Sequence, residues 1–409
     1  MANTPSDSVL SLVLAGGVGK RLNPLTVDRT KPSVPFGGKY RIIDFALSNL
    51  INSGIYSIYV LVQYKSQSLI EHIRTSWRGA GFLPSHFITA VPPQMRRHDV
   101  QEWYRGTADS IYQNINLIYD FKPKLVAIFA GDHIYRMNIK DMIDYHHRKR
   151  AKLTIAVIPI EAKQASEFGI VDVNDDFAVE AFREKPTLEG SDVLFASMGN
   201  YIFDTDFLIE MLEADAGAIS SHDFGKDIIP SIINNNLGEV YAYDFSRNRI
   251  PALRKYEAPY YWRDVGTIPA YWQAHMDLLG KEPVINFDNH EWPIYGSNFN
   301  LGTTYIGNAQ IENSRIGDGT KIRGAKIKNS IIGSGVEIKD GSVIEDSIVM
   351  DFTQIKRNVK LHKVIIDRFN IIPEGTVVDE SHDIPGLFRD PSGIAVIRRG
   401  ARKKEFLHY

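Results

Sequence analysis

IGDGTKIRGAKIKNSIIGSGVEI, residues 316–338, fits neither a helix nor a single strand. Its aliphatic residues Ile316, Ile322, Ile327, Ile332 and Ile338 recur every five or six positions, with Gly317-Asp318-Gly319 and Gly333-Ser334-Gly335 between them. A helix repeats near 3.6 residues and a strand near 2. The rhythm extends back to Ile306 and Ile311 and forward through Ile344, Val349, Ile355, Val359, Ile365, Ile371 and Val377. It is the hexapeptide rhythm of a left-handed parallel β-helix, in which each short strand buries one aliphatic residue in a stacked core. An irregular antiparallel sandwich seldom keeps one period over about 70 residues.

Upstream the pattern changes. Val9–Leu14, Ile58–Val62 and Leu125–Ala130 are apolar runs of strand length. Between them lie segments with helical spacing. Asp44–Ser53 has Asp44 as its expected N-cap and Gly54 as its stop. Thr107–Ile118 puts Ala108, Ile111, Ile115 and Ile118 on one stripe. Uninterrupted apolar strands alternating with helices predict an α/β domain with a mostly parallel sheet, covered on both faces. Ligands of such sheets sit beyond the carboxyl ends of the strands, here the loops after Leu14, Val62 and Ala130. The chain of 409 residues exceeds one compact core. It divides into an α/β domain over 1–285, a linker over 286–300, the β-helix over 301–380 and a tail over 381–409.

Composition excludes several classes. The net charge is −2, from 47 basic and 49 acidic residues, which argues against a nucleic-acid partner. There is no cysteine, hence no disulfide, thiolate metal site or cysteine nucleophile. The first eight residues lack a secretory pattern, and the apolar runs fall short of the roughly 20 residues of a membrane span. No membrane association and a cytoplasmic location are expected.

Four stretches carry candidate chemistry. Leu14-Ala15-Gly16-Gly17-Val18-Gly19-Lys20-Arg21 runs from a strand into a glycine turn and two cations, a cradle for a polyphosphate or an ordinary strand–helix turn. It lacks the spacing of a Walker loop and of a dinucleotide fingerprint. Lys31-Pro32 offers a cation from a stiffened loop, or a solvated surface lysine. Gly131-Asp132-His133 follows a buried strand, and Asp132 is either a turn aspartate or half of a metal site completed by Asp264. Glu184-Lys185-Pro186, with Ser197-Met198-Gly199, is either a sugar-phosphate site or a surface ion pair. His362 lies among the hexapeptide coils, where a base for acyl transfer would need more coils than are present.

Taken in order, these stretches resemble the sugar-nucleotide pyrophosphorylases. Trp103-Tyr104-Arg105-Gly106-Thr107-Ala108-Asp109 and His222-Asp223-Phe224-Gly225-Lys226-Asp227 point to the bacterial ADP-glucose branch. The resemblance implies a Rossmann-like nucleotidyltransferase domain followed by the β-helix, and transfer of AMP from ATP to glucose 1-phosphate with Mg²⁺. It implies Arg21, Lys31, Asp132 and Asp264 as catalytic residues, with the two aspartates as metal ligands. Leu14, Ala15, Gly16, Gly17, Gly19, Arg21, Lys31, Gln94, Gly106, Thr107 and Asp132 would serve ATP. Tyr104, Gly169, Glu184, Lys185, Ser197, Tyr201, Asp223, Phe224 and Trp262 would serve glucose 1-phosphate, with Lys185 on its phosphate.

The same resemblance implies a homotetramer regulated by anionic metabolites. Some relatives carry an activator-binding lysine three residues before the Lys-Pro pair; Asp28 stands there in this chain. Arg29, Lys39, Arg41 and Arg368 remain as candidate effector residues, while Gln63 and Trp103 match positions of signal relay or of packing. The rival readings are a pyrophosphorylase for another sugar nucleotide, a non-catalytic regulatory homologue and a bifunctional acyltransferase.

Overall fold

A computed structural model describes residues 8–77, 86–93, 103–188, 190, 192–297 and 299–402. Its N-terminal half is built on a nine-stranded sheet: β1 (Val9–Leu14), β2 (Ser57–Leu61), β3 (Phe87–Val91), β4 (Leu125–Ala130), β5 (Leu153–Glu161), β6 (Gly169–Val173), β7 (Val179–Glu184), β8 (Val193–Asp204) and β9 (Val240–Asp244). The order is β7-β6-β8-β4-β1-β2-β3, with β5 paired to both β8 and β9. β3, β2, β1 and β4 are parallel neighbours, as the continuous apolar runs require. From β8 onward antiparallel pairs enter, because the long β8 returns beside β4, β5 and β6. Buried residues form a core on each face, one around Phe129, Leu47 and Tyr135, the other around Ile128, Phe203 and Leu208. Among the described residues no helix is long and apolar enough to cross a membrane.

Two helices differ from their sequence expectation. α1 (Ile43–Asn52) starts before Asp44, whose carboxylate caps nothing. It is fully buried and accepts the Arg41 N–H at 2.8 Å, contacts His72 Nε2 at 2.6 Å and accepts the Trp77 indole N–H at 2.9 Å. Those tertiary partners outcompete the capping role. Gly54, at φ 81°, does end the helix. The Thr107–Ile118 stripe is split into α2 (Thr107–Tyr112) and α3 (Ile115–Phe121). The amide of Asn114 donates to the Ser110 carbonyl at 2.8 Å and to the Tyr104 hydroxyl at 2.9 Å, offering the chain an alternative to helix at that point. Ile115 is consequently only half-buried.

The hexapeptide half forms three sheets of short parallel strands. Ile322, Ile338, Ile355 and Ile372 stack in register along one sheet, Ile327, Ile344, Leu361 and Val378 along the next, and Ile332, Val349 and Ile366 along the third. Each is at most 2% exposed. The rhythm is therefore a column of aliphatic residues per face, though beyond Ile355 the columns run through Leu361, Ile366, Ile372 and Val378 and not the expected Val359, Ile365, Ile371 and Val377, and Ile306 is exposed. The third sheet continues into the segment read as a tail: Ala395–Ile397 pairs with Val364–Ile366, and burial of Ala395 and Val396 explains the attachment. The stretch read as a linker lies along α1. The Trp292 indole donates to Asn49, the Tyr295 N–H to Ser48, and Asn52 to the Pro293 carbonyl.

A buried histidine ties the helix over Ile268–Met276 to the Gly37 turn within the N-terminal half. The Nε2 of His275 accepts the Gly37 N–H at 3.1 Å, so its Nδ1–H donates to the Tyr271 carbonyl at 2.9 Å. The bond accepted by Nε2 requires the neutral ring. Burial lowers its pKa from 6.5 to about 4, against the raising effect of the Tyr271 carbonyl. The unfolded chain takes up this proton below pH 6.5 and the native one only near 4. The site's contribution is complete above the first value and is lost as pH falls between the two, to a total of about 3 kcal/mol. We expect the drop in urea midpoint between pH 7.5 and 5.0 to be smaller in His275→Gln than in the wild type. Equal drops would remove His275 as the cause.

Candidate active site

The carboxyl ends of β1, β2 and β4 open on a cleft of about 510 Å³. Leu14, Ala15, Gly16, Gly17, Gly19 and Arg21 form one wall. The turn is held to the sheet by the Ala15 N–H on the Leu61 carbonyl at 2.9 Å. Gly19 sits at φ 62°, and a Cβ there would lie 3.1 Å from the Cβ of Lys31. The glycine turn and the lysine are thus packed against each other.

Asp132 and Asp264 converge. Asp132 follows β4, and the antiparallel pair His133–Tyr135/Trp262–Asp264 aligns Asp264 with His133. The Lys31 ammonium lies between the carboxylates, 3.0 Å from Asp132 Oδ2 and 2.5 Å from Asp264 Oδ1. Arg21 stands 3.6 Å from Asp264 Oδ2. Burial alone would raise the Asp132 carboxyl, but the charges of Lys31 and His133 and the Lys31 hydrogen bond bring it down to about 2. Burial alone would lower Lys31, and the two carboxylates outweigh it and raise the ammonium's pKa. Ligand atoms of Asp132, Asp264 and His133 lie within 4.8 Å of one another. Two carboxylate oxygens with open access to the cleft suit a hard divalent cation, whereas imidazole suits softer ions.

The same cleft takes in the remaining expected residues. Tyr104, Gly106, Thr107, Gly169, Glu184, Lys185, Ser197, Tyr201, Asp223, Phe224 and Trp262 all line it. Gly169 and Gly225 leave room for Glu184, whose Oε2 would be 3.1 and 3.0 Å from a Cβ at each. Tyr201 stacks toward Phe224 at 5.7 Å, and burial raises its hydroxyl pKa. Thr107 ties the start of α2 to the Asp223–Phe224 segment: its hydroxyl donates to Asp223 Oδ2 at 3.0 Å and accepts the Phe224 N–H at 3.0 Å. Asp223 Oδ1 also accepts from the Gly225 and Lys226 N–H groups, so its carboxylate shapes the pocket's backbone. A Cβ on Gly106 would fall 2.2 Å from the His222 carbonyl oxygen, which explains glycine at that position.

Further cleft residues carried no role in the sequence reading. His133, Ser110, Glu167, Phe168 and Met198 line the cleft; Gln63, expected to relay a signal or to pack, lines it too, and its amide donates to the Tyr104 carbonyl at 3.3 Å. His133 and Met198 lie inside quoted motifs; Glu167 and Phe168 gave no signal beyond preceding Gly169. Trp103 is 63% exposed. Gln94 lies outside the described residues. His362 is half-exposed on the β-helix, 3.4 Å from Asp346.

Arg29, Lys39, Arg41 and Arg368 are not in the cleft but at the junction with the β-helix. Arg29 pairs with Asp367 at 2.6 Å, Arg368 with Asp351 at 3.3 Å and Lys39 with Asp318 at 3.4 Å. Arg41 donates to the Ser33 carbonyl and to Ser68. Burial, then the neighbouring guanidiniums, lower Arg41 to about 9. Burial lowers Arg368 to about 10, with Asp351 opposing.

The nucleotidyl transferase family model matches residues 10–281, and a GlmU-like C-terminal hexapeptide model matches 303–397. A glucose-1-phosphate adenylyltransferase of Thermodesulfovibrio yellowstonii is 48% identical, over 98% of this chain and 98% of its own. That of Deinococcus radiodurans is 43% identical, over 96% and 98%. The chain belongs to the glucose-1-phosphate adenylyltransferases. The Thermus thermophilus relative of the same name is 48% identical over 71% of each chain. Membership in the glucose-1-phosphate adenylyltransferases gives the cleft a reaction class, nucleotidyl transfer, and the nucleotidyl transferase match spans every cleft residue.

Proposed function

We propose that the protein joins ATP and glucose 1-phosphate to form ADP-glucose and pyrophosphate. The observation that carries this is the meeting of Asp132 and Asp264 around Lys31 beside the glycine turn, in a member of this family. A phosphate oxygen of glucose 1-phosphate bonds to the α-phosphorus of ATP. The bond from that phosphorus to the oxygen bridging to the β-phosphorus breaks, and its electron pair leaves with pyrophosphate. The nucleophile is already ionised at neutral pH, so no general base is needed. Repulsion between two anions is the obstacle, and fixed cations offset it.

Leu14 to Gly19 would bring backbone N–H groups against the triphosphate, with Arg21 and Lys31 neutralising it, while Gly106 and Thr107 close that side. Asp132 and Asp264 would hold Mg²⁺, which when bound neutralises phosphate charge. Tyr104, Gly169, Glu184, Ser197, Tyr201, Asp223, Phe224 and Trp262 would frame the sugar, and Lys185 its phosphate. The test is pyrophosphate release from ATP plus glucose 1-phosphate, with and without Mg²⁺, beside other nucleoside triphosphates. No release with ATP, or a strong preference for another triphosphate, would overturn the assignment.

Lys185 sits at φ 47° immediately after β7, its ammonium 3.5 Å from Glu184 and half-exposed to the cleft. Lys185→Gln removes one charge-assisted hydrogen bond, and we expect the KM for glucose 1-phosphate to rise about 10- to 150-fold with little change for ATP. The opposite pattern would mean the two pockets are exchanged. Regulation by anionic metabolites at the junction, a homotetramer and a cytoplasmic location complete the proposal, as the resemblance implies. Sedimentation and a screen of phosphorylated metabolites test the first two.

A further inference from the structure

Lys31 stands where a divalent cation would stand. Its ammonium touches one oxygen of each aspartate, and its side chain is only 7% exposed, against 34% for Asp132 and 15% for Asp264. The base of the side chain is fixed: Lys31 opens a short turn with Pro32 next in line, Ser33 Oγ donates to the Thr30 carbonyl at 2.9 Å, and Gly19 packs on its Cβ. Without the ammonium, two carboxylates would face each other at the cleft with Arg21, 3.6 Å from Asp264 and 59% exposed, and the His133 ring, 3.6 Å from Asp132, as the nearest groups to offset them among the described residues. Two carboxylates against two cations make a balanced cluster; removing Lys31 leaves it one negative charge in excess.

We propose that Lys31 is the resident counter-cation of the metal pair, competing with a divalent ion for Asp132 and Asp264 until the nucleotide draws its ammonium away. The glycine turn packed on Lys31 is the wall proposed for the triphosphate, so an arriving phosphate offers the ammonium an alternative partner without backbone movement. Metal and nucleotide then bind with positive coupling, and the coupling is reciprocal. The inference rests on the reading of Asp132 and Asp264 as metal ligands.

The experiment is Mn²⁺ titration by electron paramagnetic resonance on the nucleotide-free full chain, paired with thermal melts in chelator and in Mn²⁺. Lys31→Gln should bind Mn²⁺ at least about 10-fold tighter than the wild type, because one unit charge is removed from the site. Mn²⁺ should also raise its melting temperature more than that of the wild type. Lys31→Arg, which keeps the charge, should behave like the wild type, and Lys31→Gln/Asp132→Asn should lose the tight site. Equal or weaker Mn²⁺ binding in Lys31→Gln overturns the competition. So does a Lys31→Gln protein that fails to fold and is not restored by Mn²⁺. Absence of Mn²⁺ binding from every variant sinks the metal-site reading itself, whereas binding that ignores residue 31 sinks only this inference.

Discussion

Asp132→Asn is expected to fold normally and to lose at least about 10²–10³-fold in turnover. Losses of that size follow removal of a single preorganised electrostatic group from an active site. The substitution keeps the shape of the side chain and takes away half of the charge that faces Lys31 and the cleft. Asp132 is about one-third exposed, so its removal leaves no deeply buried charge unpaired. The Lys31 ammonium retains Asp264 at 2.5 Å. Steady-state kinetics at saturating ATP and glucose 1-phosphate, with circular dichroism to confirm the fold, measure the outcome. A kcat within a few-fold of the wild type would remove Asp132 from the chemistry.

The second large effect is on stability. Arg29→Met should lower the stability of the chain by about 3–5 kcal/mol, the usual consequence of breaking a buried ion pair from one side. Arg29 and Asp367 are each 1% exposed, 2.6 Å apart and 338 residues apart in sequence, so the pair ties the catalytic half to the β-helix. After the substitution Asp367 keeps the Arg368 N–H at 2.7 Å but loses the ion-pair partner of its other oxygen. The double variant Arg29→Met/Asp367→Leu should recover most of the loss, because desolvating two paired charges costs about as much as their attraction returns. Urea midpoints of the three proteins decide it. If the double variant were no more stable than Arg29→Met, the destabilisation would come from packing at residue 29, not from a stranded carboxylate.

The hexapeptide half was legible because its period is a property of the chain. One aliphatic residue per turn of the coil places Ile322, Ile338 and Ile355 in one column whatever else the protein does. The strands β1 and β4 were legible for a related reason: buried on both faces, they show no polar–apolar alternation, and even Ser11 is buried. Residues whose partners are remote were less so. Asp44 resembles a helix cap in sequence, but Trp77 and His72 claim its carboxylate. Asn114 sits within a helical stripe, yet its amide serves Ser110 and Tyr104 and the helix breaks there. Residues 395–397 fall in the expected tail, and pairing with Val364–Ile366 joins them to the coil.

For the site, the residues themselves were in the sequence, and a resemblance ordered them. Sequence determined which side chains carry charge, that glycines precede the cations, and that a carboxylate follows a buried strand. It could not determine that Asp132 and Asp264, separated by the whole second half of the sheet, share one lysine. That meeting depends on the antiparallel pairing of Trp262–Asp264 with His133–Tyr135 and on the turn that fixes Lys31. Local periodicity reports burial, which each residue experiences singly. Convergence is a relation between distant residues, and only the packed chain holds them at 3.0 and 2.5 Å from one ammonium.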